Sequence, residues 1–147
     1  MIIKEAKPKD KKNLIKTVEE LIEEDKNLDY FPGKYKDPKY YAEEYLKKNK
    51  YNIITISEGN IVAGYIIGKK ETSNIYTVEM HYVLPNMRGR RIARKLKKSL
   101  EETARRQEFK LITSYASTDN HASIKLNENT NYRQETIGNY VYFRKEL

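Results

Sequence analysis

Short runs of β-branched and aromatic residues alternate along this chain with longer stretches whose apolar positions recur every three or four residues. Residues 1–6 predict a first strand. Pro8, Lys9 and Asp10 supply a turn and a helix cap. Leu14, Ile15, Val18, Leu21 and Ile22 then mark one face of a helix. The segment Asp29, Tyr30, Phe31, Pro32, Gly33 interrupts that pattern. Asp37 and Pro38 start a second helix carrying Tyr41, Ala42, Tyr45 and Leu46. Residues 52–57 and 61–67 read as strands joined at Glu58, Gly59 and Asn60, a hairpin signal. A third strand over 75–84 stops at Pro85. From Arg88 the period changes, and Ile92, Ala93, Leu96, Leu100 and Ala104 line one side of a helix. A strand over 109–115, a short helix over 120–128 and a closing strand over 137–143 complete the chain. The order is strand, two helices, three strands, helix, strand, helix, strand. It is a mixed α+β domain with a crossover helix, without internal repeats or linkers, so residues 1–147 form one domain.

Composition narrows the function classes. Apolar residues make up 38% and charged residues 34% of 147, a polar but foldable balance. No run approaches the ~18–20 apolar residues of a membrane helix, and the charged opening lacks a signal-peptide pattern, so a cytoplasmic protein is expected. Cysteine is absent, which excludes disulfides, thiolate nucleophiles and Cys-based metal sites and fits a reducing interior. Lys and Arg number 29 against 21 Asp and Glu, a net charge of +8. A surface meeting nucleic acid and a site for a smaller phosphate-bearing anion both fit this excess.

The distribution of charge favours the second. Between Val83 and Leu96 a strand ends at a proline, a loop with Arg88, Arg90 and Arg91 follows, and a helix begins. The first N–H groups of a helix lack internal partners and carry the positive end of its dipole, so such a start binds anions. Taken alone, a basic run reads as a solvated helix face. Gly89, placed where the backbone turns and approaches a ligand closely, tips the balance to a phosphate site. Nucleic-acid binding through the basic helix, extended by Arg105 and Arg106, ranks last because no recognised motif accompanies it.

Val83, Pro85, Arg88, Gly89, Ile92 and Ala93 resemble the core motif of the GNAT superfamily of acetyl-CoA-dependent N-acetyltransferases. The opening residues 2–10, the Ile61–Tyr65 segment and the Asn120–Leu126 segment are similar to three further family signatures in the same order. The resemblance implies a mostly antiparallel central sheet flanked by helices, with the fourth and fifth strands splayed. It implies acetyl-CoA as cosubstrate, its pyrophosphate held by the main chain of Arg88, Gly89, Arg90, Arg91, Ile92 and Ala93. Its pantetheine arm would pair with Tyr82, Val83 and Leu84, and Asn120 would touch the arm as well as cap the following helix. An acceptor amine, small molecule or peptide, would attack the thioester directly with no metal, and a homodimer accords with the family.

Departures from the pattern bear on catalysis. Arg91 stands where the motif has a glycine, either crowding the pyrophosphate or adding a cation. Asn127 stands where the family often has a Tyr that protonates the departing thiolate, and an amide cannot do that. Tyr115 and Tyr132 are substitutes at other positions. An amine with a pKa near ~10.4 must lose a proton before attack. Glu79 and His81, two apart and on one strand face with Val83, are the candidate bases, with Glu79 preferred. The aromatic residues Tyr30, Phe31, Tyr35, Tyr40, Tyr41 and Tyr45 would wall the acceptor pocket. The alternative is a catalytically weak acetyl-CoA-binding or protein-interaction module of the same fold.

Overall fold

The computed structural model describes residues 1–7, 16, 19, 20, 23, 43, 44 and 49–147. Lys16, Glu19, Glu20 and Glu23 are helical, as are Glu43 and Glu44. The other positions of the two early helices, and the aromatic group from Tyr30 to Tyr45, lie outside the described residues.

The described chain builds a sheet of seven strands: β1 (Ile2–Glu5), β2 (Tyr51–Glu58), β3 (Ile61–Lys70), β4 (Ile75–Val83), β5 (Leu111–Ser117), β6 (Arg133–Ile137) and β7 (Tyr140–Glu146). Two helices, α1 (Ile92–Arg106) and α2 (His121–Asn129), follow β4 and β5. The spatial order is β1-β2-β3-β4-β5-β7-β6. Every neighbouring pair is antiparallel except β4 and β5, which are parallel and joined through α1. Parallel neighbours need such a crossover because the chain must return to the same sheet end.

The closing segment differs from expectation. A single strand over 137–143 is in fact the hairpin β6–β7, turning at Gly138 and Asn139. All five residues of β6 are exposed, so no buried alternation marks it as a strand. β7 betrays itself through Val141 and Phe143, the two buried residues that face the core.

One apolar core lies between α1 and the sheet. Ile92, Leu96, Leu100 and Ala104, one turn apart, pack with Ile54, Ile56, Ile66, Tyr76, Ile112 and Phe143. Gly64 lets α1 settle there: a Cβ at that position would stand 2.5 Å from the Tyr82 carbonyl oxygen and 3.3 Å from Leu96 Cδ1.

Two irregularities shape the middle of the sheet. The β4–β5 ladder contains only Ile75 to Thr77 against Leu111 to Thr113, while both strands run on beyond it. The two strands therefore splay, leaving the β5-facing edge of β4 without a strand partner past Thr77. In addition the β3–β4 register shifts: Ile67 pairs with Met80 and Gly68 with Val78, so Glu79 is the extra residue of a bulge. Val78 and Val83, five apart, consequently share one core. The expectation that Glu79 shares a face with His81 and Val83 assumed unbroken alternation, and the bulge breaks it. His81 goes with Val83 toward α1, opposite Ile66, and Glu79 stands at the break.

Candidate active site

The splay opens onto a cleft of about 690 Å³ bounded by the end of β4, the start of α1 and one side of α2. Its formation follows from the Pro85 stop. Pro85–Met87 makes one 3-10 turn, with the buried Met87 anchoring it, and the chain then turns through Gly89 (φ 78°) and Arg91 (φ 61°) into α1. Gly89 takes the left-handed region without cost, and a Cβ there would meet nothing within 4 Å, so the backbone is open to a ligand. Arg91 takes the same region as a non-glycine residue and is the N-cap of α1.

The helix start is electrostatically incomplete. No side chain caps α1 and its first turn has no acidic residue. Lys95 N–H is bonded to the Arg91 carbonyl, at 3.1 Å. Among the described residues, the N–H groups from Gly89 to Arg94 have no such partner. The positive end of the dipole thus faces the cleft with a row of unused donors.

Of the residues expected to hold the cosubstrate, Tyr82, Val83, Arg88, Gly89, Arg91, Ile92, Ala93 and Asn120 line the cleft. Leu84 and Arg90 do not. Leu84 gives its N–H to the Ala63 carbonyl at 2.9 Å. Arg90 is drawn to the β2–β3 hairpin by an ion pair with Glu58 at 2.6 Å, and also touches Met87 Sδ. Arg88 donates from Nε to the Val83 carbonyl at 3.0 Å and lies over the Tyr82 ring, bracing the end of β4. Among the described residues, Arg91 is the motif arginine whose guanidinium has no intramolecular partner. Asn120 caps α2 by accepting from Ser123 N–H at 3.2 Å.

Sequence reasoning missed part of the wall. Ser123, Lys125, Leu126 and Asn129 of α2 line the cleft, with Arg94 of α1 opposite them. Arg94 Nη2 donates to the Asn129 carbonyl at 2.9 Å and ties the two helices together. The signal available was the position of Lys125 within the matched Asn120–Leu126 segment.

The candidate catalytic residues are dispersed. His81 lines the cleft, and its Nε2 is shut from solvent without a hydrogen-bond partner among the described residues. Burial, then the nearby Lys97 charge, pushes its pKa down to about 3, against a smaller raising effect from a hydrogen bond to the Ala93 backbone. The ring is therefore neutral at pH 7 and a poor proton acceptor. Glu79 sits at the bulge, partly buried, outside the cleft lining. Tyr115 lies on the sheet face away from α1, 43% exposed, its ring beside Tyr140 and Tyr142. Tyr132, the other substitute acid, is buried and donates to Glu101 Oε1 at 2.8 Å. Burial and that carboxylate push its pKa upward, the wrong direction for an acid.

Behind the α1–α2 wall lies a buried polar group that the sequence reading did not single out. Lys97, 1% exposed, donates to Asn127 Oδ1 at 2.6 Å and places its ammonium 4.2 Å from the Tyr132 ring centroid. Asn127 Nδ2 donates to the Ser123 carbonyl at 2.9 Å, so both ends of this amide are engaged. The available signal was the polar i,i+4 pair Lys97 and Glu101 beside the apolar stripe of α1.

Comparison with known proteins agrees with this architecture. The model of the acetyltransferase (GNAT) family matches residues 16–131. No curated protein matches the chain. A ribosomal-protein-alanine N-acetyltransferase from Brucella melitensis superposes with a TM-score of 0.77 at 18% identity, over 100% of both chains. The aminoglycoside 6'-N-acetyltransferase from Enterococcus faecium gives 0.80 at 13% identity, over 99% of this chain and 97% of its own. The acetyltransferase yncA from Salmonella typhimurium, solved with its cofactor acetyl-CoA, gives 0.78 at 16% identity, over 99% and 93%.

Proposed function

The chain belongs to the acetyltransferase (GNAT) family, and on that footing we propose that it carries an acetyl group from acetyl-CoA to a primary amine by direct attack within a ternary complex. The observation carrying the reading is the uncapped start of α1, where the unpaired N–H groups belong to Gly89 and to Arg91 through Arg94, residues that line the cleft together with the Arg91 guanidinium. That donor set fits a diphosphate: several main-chain N–H groups and a cation around a concave surface. The open edge of β4 past Thr77 fits an amide-bearing arm, which pairs with an unpaired strand edge as another strand would.

In the transfer, the amine nitrogen bonds to the acetyl carbon as the carbon–sulfur bond breaks and the sulfur leaves with its electron pair. The protein's contribution is positional: α1 fixes the diphosphate end, β4 aligns the arm, and the splay gives the amine access from the far sheet face. Glu79, at the bulge just beyond the last β4–β5 pair, is the residue we assign to take the amine proton, directly or through water. Tyr115 is given no acid role, since its ring is packed with Tyr140 and Tyr142 away from the cleft wall. Similarity to proteins named for aminoglycosides and for ribosomal-protein alanine supports small amines and peptide N-termini as the classes to test.

Thiol release from acetyl-CoA with a panel of aminoglycosides, polyamines and peptides tests the reading. Acetyl transfer to at least one amine is expected. Acetyl-CoA binding without transfer to any would identify a binding module instead. Glu79→Gln should lower turnover about 100-fold near neutral pH and much less at high pH, where free amine is abundant. Equal losses at both would remove Glu79 as the base.

A further inference from the structure

Among the described residues, the buried ammonium behind the cleft is paired with no carboxylate of its own. Glu101 lies nearest along α1, but its two oxygens are taken by Tyr132 Oη at 2.8 Å and Lys145 Nζ at 3.1 Å, with Arg105 at 3.8 Å. Lys145 is held further by the Thr130 carbonyl. Among the described residues Lys97 contacts a neutral amide and an aromatic face, and it feels the Glu101 charge without an ion pair. The buried charged groups here are Lys97 and Glu101, with Lys145 part-buried and Arg105 half in solvent, so Lys97 and Lys145 together outnumber the one carboxylate. Burial pulls the Lys97 pKa down to about 8, Glu101 raising it and Lys145 lowering it further, so the ammonium is still the main form at pH 7 and a nearby anion would stabilise it.

The cleft is where that anion can arrive. Lys97 follows Ala93 by one helical turn, and Asn127 adjoins Leu126 on α2; Ala93, Leu126 and Ser123 all line the cleft. His81, facing α1 from β4, also lines it and feels the Lys97 charge. The ammonium therefore sits one residue layer behind the inner wall, where all three elements converge.

We propose that Lys97 is a positioning residue whose charge stabilises the thiolate that leaves during acetyl transfer. This rests on the acetyl-CoA reading above. As the carbon–sulfur bond breaks, the electron pair goes to sulfur, and the field of the ammonium behind the wall favours that anion until it takes a proton from solvent. No proton needs to pass through Asn127, whose amide both accepts from Lys97 and donates to Ser123. The device thus replaces proton donation by electrostatic stabilisation at the charge that develops.

The test titrates the thiol of coenzyme A bound to the folded protein, followed by thiolate absorbance, with calorimetry reporting binding separately. In the wild type the bound thiol should titrate about one unit below its free value (~8.5 for a thiol). Lys97→Gln, which keeps a donor to Asn127 but drops the charge, should return it to the free value, while coenzyme A affinity measured at about pH 6.5, where the thiol is protonated in both proteins, changes less than about twofold. Asn127→Asp, which gives the ammonium a counter-ion without emptying the core, should do the same and decides the matter should Lys97→Gln fail to fold. A wild-type bound thiol with its free pKa overturns the proposal, as does a lowered pKa that survives in either variant. Absence of coenzyme A binding in the wild type would instead overturn the acetyl-CoA reading itself.

Discussion

Arg91 carries two opposed contributions. Its backbone is left-handed at φ 61°, which costs a non-glycine residue about 1 kcal/mol, while its guanidinium is an uncommitted cation at the diphosphate end of the cleft. Arg91→Gly should therefore raise thermal stability and lower acetyl-CoA affinity, the latter about fivefold for an exposed charge-assisted contact of ~1 kcal/mol. Melting curves and calorimetry on one sample read both signs, and tighter binding in the glycine variant would show that the side chain crowds the ligand. His81 makes a prediction about acid. Its folded pKa of about 3 lies below the ordinary 6.5, so the unfolded chain binds the proton first as pH falls. Stability from this group is intact above pH 6.5 and is lost progressively down to about 3, by at most ~1.4 kcal/mol per pH unit. His81→Gln should flatten that part of the stability–pH curve, measured by urea denaturation; an unchanged slope would place the acid sensitivity elsewhere.

At the scale of elements, the docking of α1 on β3 and β4 determines where the N–H donors lie. Gly64→Ala inserts a Cβ 2.5 Å from the Tyr82 carbonyl oxygen, so backbone must shift. A loss of about 1–3 kcal/mol, the usual cost of overpacking, is expected together with weaker acetyl-CoA binding, because the displaced elements are those that frame the cleft. Stability loss with unaltered binding would separate the packing from the site. These elements were largely legible beforehand: the period change at Arg88, the Pro85 stop and the hairpin signal at Gly59 are local features of the chain. The register was not. The bulge at Glu79 is set by pairing with Ile67 and Gly68, more than ten residues away in the chain, so no pattern within β4 announces it. β6 escaped for a different reason, since Arg133, Gln134, Glu135, Thr136 and Ile137 bury nothing. Lys97 escaped because a lysine on a basic helix reads as solvated, whereas its burial depends on α2 and Tyr132 packing across it.

For the whole molecule, the net charge of +8 is a field that favours any polyphosphate ligand. Arg88, Arg91, Arg94 and Lys125 all stand around the cleft, so part of that field is focused there. Among the described residues no helix is long and apolar enough to cross a membrane. Raising salt shortens the Debye length from about 10 Å at 0.1 M to about 3 Å at 1 M, and acetyl-CoA affinity should weaken accordingly. The central claim is that unpaired main-chain donors at the start of α1 hold a diphosphate. Calorimetry comparing acetyl-CoA with acetyl-pantetheine, which keeps the thioester arm but lacks the diphosphate, tests it most directly. Acetyl-CoA should bind in the micromolar range, ~1 μM to 1 mM, and acetyl-pantetheine at least about 100-fold more weakly, as befits loss of two charge-assisted contacts. Equal affinities, or no binding of acetyl-CoA, would contradict it.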